Sequence, residues 1–163
     1  MEIRIAAPDD FDAVMEIYSE ARKYMAESGN PDQWGTSYPS ADIVRDDIGS
    51  GRCMLVCGDG EILAVFMMMR ESEPTYKIIE NGGWLNDMPY ITIHRVASSG
   101  RAKGIVRFIT DHCKKLSDNI RIDTHEKNLT MRYALESCGF FRCGIIHVAD
   151  GSPRIAYQWT AKK

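Results

Sequence analysis

Apolar and polar residues alternate along EIRIA, residues 2–6, and that period of two predicts a first β-strand. Pro8 and the acids Asp9, Asp10 and Asp12 then mark a helix start, where a missing N–H is tolerated and negative charge suits the dipole. Phe11, Val14, Met15, Tyr18 and Met25 recur at three or four positions and predict one buried stripe running to Ser28-Gly29. NPDQWGTSYPS (30–40) is dense in turn residues and predicts a loop, yet it carries Trp34 and Tyr38. Ser40 can cap a short helix, ADIVRDDI, which stops at Gly49. RCMLVC (52–57), the turn GDG (58–60) and EILAVFMMMR (61–70) predict an antiparallel hairpin.

Residues 71–88 follow as a long connection anchored by Tyr76, Ile79 and Trp84. YITIHRVA (90–97) predicts a central strand. From Arg101, the residues Ile105, Phe108, Ile109, Cys113 and Leu116 keep helical spacing until SDN (117–119). IRIDT (120–124) alternates as another strand, and Asn128 can cap a helix whose apolar face is Met131, Leu135 and Cys138, ending at Gly139. FRCGIIHVA, DGSP and RIAYQWT (154–160) close the chain as a second hairpin. The order β-α-α-β-β-β-α-β-α-β-β predicts a mixed α/β domain over 1–163, with no repeat, low-complexity segment or linker dividing it.

Composition narrows the partners. Hydrophobic residues make up 44% and charged residues 26% of the 163, an ordinary globular balance. The net charge of −3 gives no global positive field to draw nucleic acid or an anionic membrane. The longest apolar run, ILAVFMMM (62–69), is far short of the ~20 residues a membrane span needs. MEIRIAAPDD reads as neither signal nor transit peptide, so a soluble, cytoplasmic protein is expected. The five cysteines, Cys53, Cys57, Cys113, Cys138 and Cys143, form no CxxC pair. Cys53 and Cys57 share a strand face about 13 Å apart, too far for one metal. Small buried hydrophobes in a reducing compartment are expected, and no metal site.

The chemistry concentrates where YITIHRVA ends and a helix begins, at SSGRAKGIVRF (98–108). A helix start leaves about four backbone N–H groups without intrahelical partners, and the macrodipole adds about half a positive charge. Gly104 lets a ligand approach the backbone with no Cβ in the way, and Arg101 and Lys103 add positive charge. Such a junction suits a pyrophosphate, although an ordinary helix start with a solvated basic face has the same residues. It is neither GxGxxG nor GxxxxGK[ST], so dinucleotide and P-loop readings lose their support.

The run from YITIHRVASSGRAKGIV through IRIDTHEKN to YALESCGFFRCGII resembles the GNAT superfamily of acetyl-CoA-dependent N-acetyltransferases. That family's glycine loop reads Arg or Gln, two residues, Gly, one residue, Gly or Ala; here it is R101-A-K-G104-I-V106. An Asn opening a helix that ends in Gly-Phe is matched by Asn128 and Gly139-Phe140. The resemblance implies a central mixed, twisted sheet flanked by helices. It further implies that the strand end around Val96 pairs with the pantetheine arm of acetyl-CoA. The amides of Arg101, Ala102, Lys103, Gly104, Ile105 and Val106 would hold the pyrophosphate, with Asn128 beside the arm. YITIHRVA and IRIDT would be the strands that splay to admit it. Val106 departs from the family's Gly or Ala, which bears on how tight the cradle is.

The implied reaction is direct attack of a primary amine on a thioester, without metal. A Lys-like ammonium at pH 7 costs ~4.6 kcal/mol to deprotonate, so a base within hydrogen-bond reach is needed. Alternation puts Tyr90, Thr92, His94 and Val96 on one face, and His94 is the candidate base because imidazole titrates in the useful range. His125 and Glu126 are rivals. A backbone N–H near Val96 is the natural oxyanion donor. The position where many members of the superfamily carry an acid Tyr is Leu135 here. Tyr133 lies about 200° around the helix from it, and Tyr157 has no such support, so the acid is unassigned. Trp34, Tyr38, Tyr76 and Trp84 sit in the loops that wall the acceptor side in this superfamily. They can bind an amine's body or cation, or pin the loops to the core. Glu71, Glu73, Glu80 and Asp87 can favour a cationic acceptor or simply be solvated loop acids. The acceptor itself stays open, from small polyamine to protein lysine, and a homodimer is compatible with the sequence. The alternatives are a catalytically silent CoA-binding module and a protein-interaction module on the same fold.

Overall fold

The computed structural model describes residues 1–161, so the last two residues of the expected 1–163 domain lie outside the described part. Among the described residues are seven strands and four α-helices. In chain order they are β1 (Glu2–Ile5), α1 (Phe11–Glu27), α2 (Ala41–Gly49), β2 (Cys53–Gly58), β3 (Glu61–Met69), β4 (Ile91–Ser98), α3 (Ile105–Lys114), β5 (Asn119–Thr124), α4 (Leu129–Ser137), β6 (Phe141–His147) and β7 (Pro153–Thr160). The order is the one that the periodicity predicts. Ser40 caps α2 by accepting from the Ile43 amide at 3.3 Å, and Asn128 caps α4 through the Met131 amide at 3.1 Å. Strand ends differ from the predicted ones by about a residue, and one helix start by more: α3 begins at Ile105 because Gly104, at φ +73°, lies outside helical space.

The chain forms two compact units, each built from two separate stretches, so no single cut in the sequence parts them. The first comprises Met1–Met68 and His94–Ile105. Its strands run in the order β1-β2-β3-β4, with β1 antiparallel to β2 from Glu2↔Cys57 to Ile5↔Met54. The β2–β3 hairpin carries a register shift between Val56 and Cys57. The α1 stripe differs in part from the predicted one: Val14 and Tyr18 are buried, but Ile17 and Ala21 complete the row, and Phe11, Met15 and Met25 are only half-buried beside it. It packs with Val44 and Ile48 of α2 against Leu55, Val65 and Ala97. Each Val, Leu or Ile side chain so removed from water contributes ~1.5–3 kcal/mol.

The second unit comprises Met69–Ile93 and the chain from Val106 onward, with strands in the order β4-β5-β7-β6. β4 runs parallel to β5 from Ile91↔Ile120 to Ile93↔Ile122, and parallel neighbours need a crossover, which α3 supplies. The 71–90 connection is tied down along its length. Glu80 and Ile145 exchange amide hydrogen bonds at 2.8 Å, and the Gly83 amide donates to the Cys143 carbonyl at 2.9 Å. Gln158 accepts from the Leu85 amide at 2.8 Å and donates to Asn119 Oδ1 at 2.6 Å, while Asn119 Nδ2 reaches the Met88 carbonyl at 3.0 Å. Tyr76, with Ile79 and Trp84, packs on Ile146 and Ala156, as the anchoring residues predict. Cys53, Cys113, Cys138 and Cys143 are buried, Cys57 is half-buried, and the five form no disulfide. No helix among the described residues is long and apolar enough to cross a membrane.

Candidate functional site

Two hydroxyls shape the turn after β4. Ser98 Oγ accepts from the Gly100 amide at 3.1 Å and Ser99 Oγ from the Arg101 amide at 3.3 Å. Gly104 follows at φ +73°, and a Cβ built there would meet no atom within 4 Å. A ligand can therefore approach that backbone closely. Ile105 and Val106 open α3, where the first amides lack intrahelical acceptors. Ile105 is buried, Val106 and Ala102 are half-buried, and Lys103 is exposed. The guanidinium of Arg101 turns back to Glu61 Oε2 at 2.9 Å and the Ile62 carbonyl at 3.3 Å. Both its side chain and its amide thus have partners in the protein, which moves the best anion donors toward the Gly104 end of the loop.

Upstream, His94 and Val96 are half-buried on β4, flanking Arg95. Arg95 has φ +51°, a region that L side chains avoid. Its Nε and Nη2 bind the two oxygens of Asp47 at 2.9 and 2.8 Å, and its Nη1 donates to Tyr38 Oη at 2.9 Å. Its carbonyl accepts from Tyr18 Oη at 3.1 Å. Burial pushes the Tyr18 hydroxyl well above the ordinary phenol range, so it remains a donor. Sequence reasoning does not find this cluster. The one local signal is Asp47, a carboxylate within the buried stripe of Val44, Asp47 and Ile48 on α2.

The acceptor candidates separate. Trp34 is a core residue, edge-on to Tyr18 at 5.6 Å between ring centroids, and Tyr38 packs on it at 6.2 Å. Tyr38 itself is 38% exposed. Trp84 donates through Nε1 to the Tyr76 carbonyl at 2.9 Å. Its ring and that of Tyr90 each lie 4.1 Å from the guanidinium carbon of Arg121, so this aromatic pair already holds a cation belonging to the protein. Tyr76 Oη donates to Asp123 at 2.7 Å, and the Glu73 carboxylate accepts from Thr75. Trp34 and Trp84 both pin their loops. Leu135 is fully buried in α4, and Tyr133 is 66% exposed on the surface. Tyr157 is buried and donates to Glu136 at 3.1 Å, with its hydroxyl raised by burial. His125 Nδ1 accepts from the Lys127 amide at 3.1 Å, a local turn.

No protein-family model and no curated protein matches this chain. Solved structures do match. A GNAT family acetyltransferase from Streptococcus agalactiae is 32% identical, with a TM-score of 0.89 over 99% of this chain and 96% of that one. The chain belongs to the GNAT family of acetyltransferases. The resemblance carried by the glycine loop and the Asn-to-Gly-Phe segment therefore holds for the fold as a whole. More distant GNAT structures share the fold alone. A Listeria monocytogenes acetyltransferase is 20% identical with a TM-score of 0.72, covering 98% of this chain and 94% of its own. The aminoglycoside acetyltransferase AAC(6')-Ib, solved with coenzyme A and kanamycin, is 16% identical with a TM-score of 0.66, covering 98% and 94%.

Proposed function

We propose that this GNAT chain, as one domain over 1–163, transfers acetyl from acetyl-CoA to a primary amine by direct attack. The observation that carries the reading is Gly104, whose left-handed backbone and open Cβ position stand immediately before the N-terminus of α3. The residues fit the cofactor's diphosphate: the amides from Ala102 to Val106 supply donors, and the α3 dipole supplies field. The family resemblance adds Val96 and Asn128 as contacts to the pantetheine arm. Bound acetyl-CoA supplies an activated thioester.

The chain's own groups do the rest. The Val96 N–H donates to the thioester oxygen, where negative charge grows as the amine attacks. His94 accepts the ammonium proton, directly or through one water. Tyr38, exposed beside β4 through its bond to Arg95, is the aromatic best placed to touch an acceptor. Amine-bearing small molecules are the first class to try, since a fold neighbour was solved with kanamycin. The buried Leu135, where an acid is often found, favours a second reading, a module that binds CoA without turnover.

Release of CoA thiol, followed across a panel of polyamines, aminoglycosides and peptides, separates the two. Release that depends on the amine supports the transferase. Calorimetric binding of acetyl-CoA with no release on any amine supports the silent module.

A further inference from the structure

We infer that Tyr18, Asp47 and Arg95 are positioning residues that aim the Val96 amide, an inference that rests on the transferase reading above. A strand carbonyl normally belongs to the neighbouring strand's ladder. At Arg95 the carbonyl accepts from a side chain, Tyr18 Oη at 3.1 Å. The peptide group is planar and trans, so the Arg95 C=O and the Val96 N–H point in opposite directions. Holding one holds the other. Tyr18 thus directs the Val96 N–H away from α1.

The hydroxyl is a fixed reference point. Tyr18 is 1% exposed, and its ring lies edge-on against Trp34, so it cannot swing. The peptide also needs Arg95 at φ +51°, which costs energy for any residue with a Cβ. Asp47 supplies the opposing force. Its bidentate pair with Arg95 is almost dry, the two side chains being 6% and 14% exposed, and Tyr38 Oη takes a third N–H. Side chains from α1, α2 and the 30–40 loop therefore converge on one peptide of β4, next to His94.

Tyr18→Phe removes one oxygen and leaves the ring's packing, which makes it the cleanest test. The expected result is a fall in kcat for amine acetylation of tenfold or more, with the acetyl-CoA Kd within twofold of wild type. The Val96 amide resonance of the ligand-free variant should also move, while those of β1 stay in place. Asp47→Asn should act in the same direction, and it decides the matter if Tyr18→Phe does not fold. Unchanged kcat in the folded variant overturns the inference, as does a loss of kcat matched by an equal loss of affinity, which marks a purely structural role. Wild-type protein that neither binds acetyl-CoA nor turns over overturns the transferase reading and this inference together. Full activity in both wild type and Tyr18→Phe overturns this inference alone.

Discussion

Arg95 and Gly104 both occupy left-handed backbone, at φ +51° and +73°, but they reach it by opposite means. Glycine does so without steric penalty, and leaves open space where a diphosphate would come. Arginine carries a cost of about 1–2 kcal/mol, and its two bonds to Asp47 fix the side chain in that position. The proposed chemistry stands on the two residues that flank Arg95, His94 and Val96. The His94 role belongs to this scale and is tested by His94→Ala. The expected loss in kcat/KM at neutral pH is roughly a hundredfold, together with a changed pH profile. An unchanged rate and profile would remove His94 from the mechanism and point to solvent or His125.

At the scale of elements, the second long loop behaves as part of the fold. Its Glu80 pairs with Ile145, and Gly82 comes so close to β6 that a Cβ there would fall on the Cys143 carbonyl. Gly82→Ala should therefore destabilise the protein by more than ~1 kcal/mol, read as a lower denaturation midpoint with an unchanged slope. An unaltered midpoint would mean that the loop yields freely.

The elements themselves were legible because burial imposes periods of two and 3.6 that act over neighbouring residues: the α1 helix, the Ser40 and Asn128 caps and both hairpins follow from local pattern, whereas Ile17 and Ala21 join the α1 stripe only through the packing of the fold. The Gly104 junction was legible for the same reason. The clamp on Arg95 was not, because its partners lie 48, 57 and 77 residues away in sequence and share no local spacing. Trp84 was misleading for a related reason. An aromatic in a polar loop suggests a cation site, and only the fold reveals that the cation is Arg121.

For the molecule as a whole, buried thiols set an alkaline limit. Burial pushes Cys53 and Cys113 from an ordinary 9.0 up to about 12. The unfolded chain then sheds protons that the folded chain keeps, so stability is complete below 9.0 and declines as pH rises toward about 12. Denaturation under a phosphine reductant at about pH 8 and about pH 10.5 should show the decline, and a Cys53→Ala, Cys113→Ala variant should show a shallower one. Equal slopes would assign the alkaline loss to other groups, such as the buried Tyr18 and Tyr76.

The central claim is that main-chain amides at the start of α3 grip the diphosphate of acetyl-CoA. Calorimetric titration of acetyl-CoA into wild type and Gly104→Val tests it most directly, since the valine places carbon where the ligand must lie. Saturable one-to-one binding that weakens at least tenfold in the variant is the predicted result. No binding to wild type, or equal binding to both proteins, would contradict it.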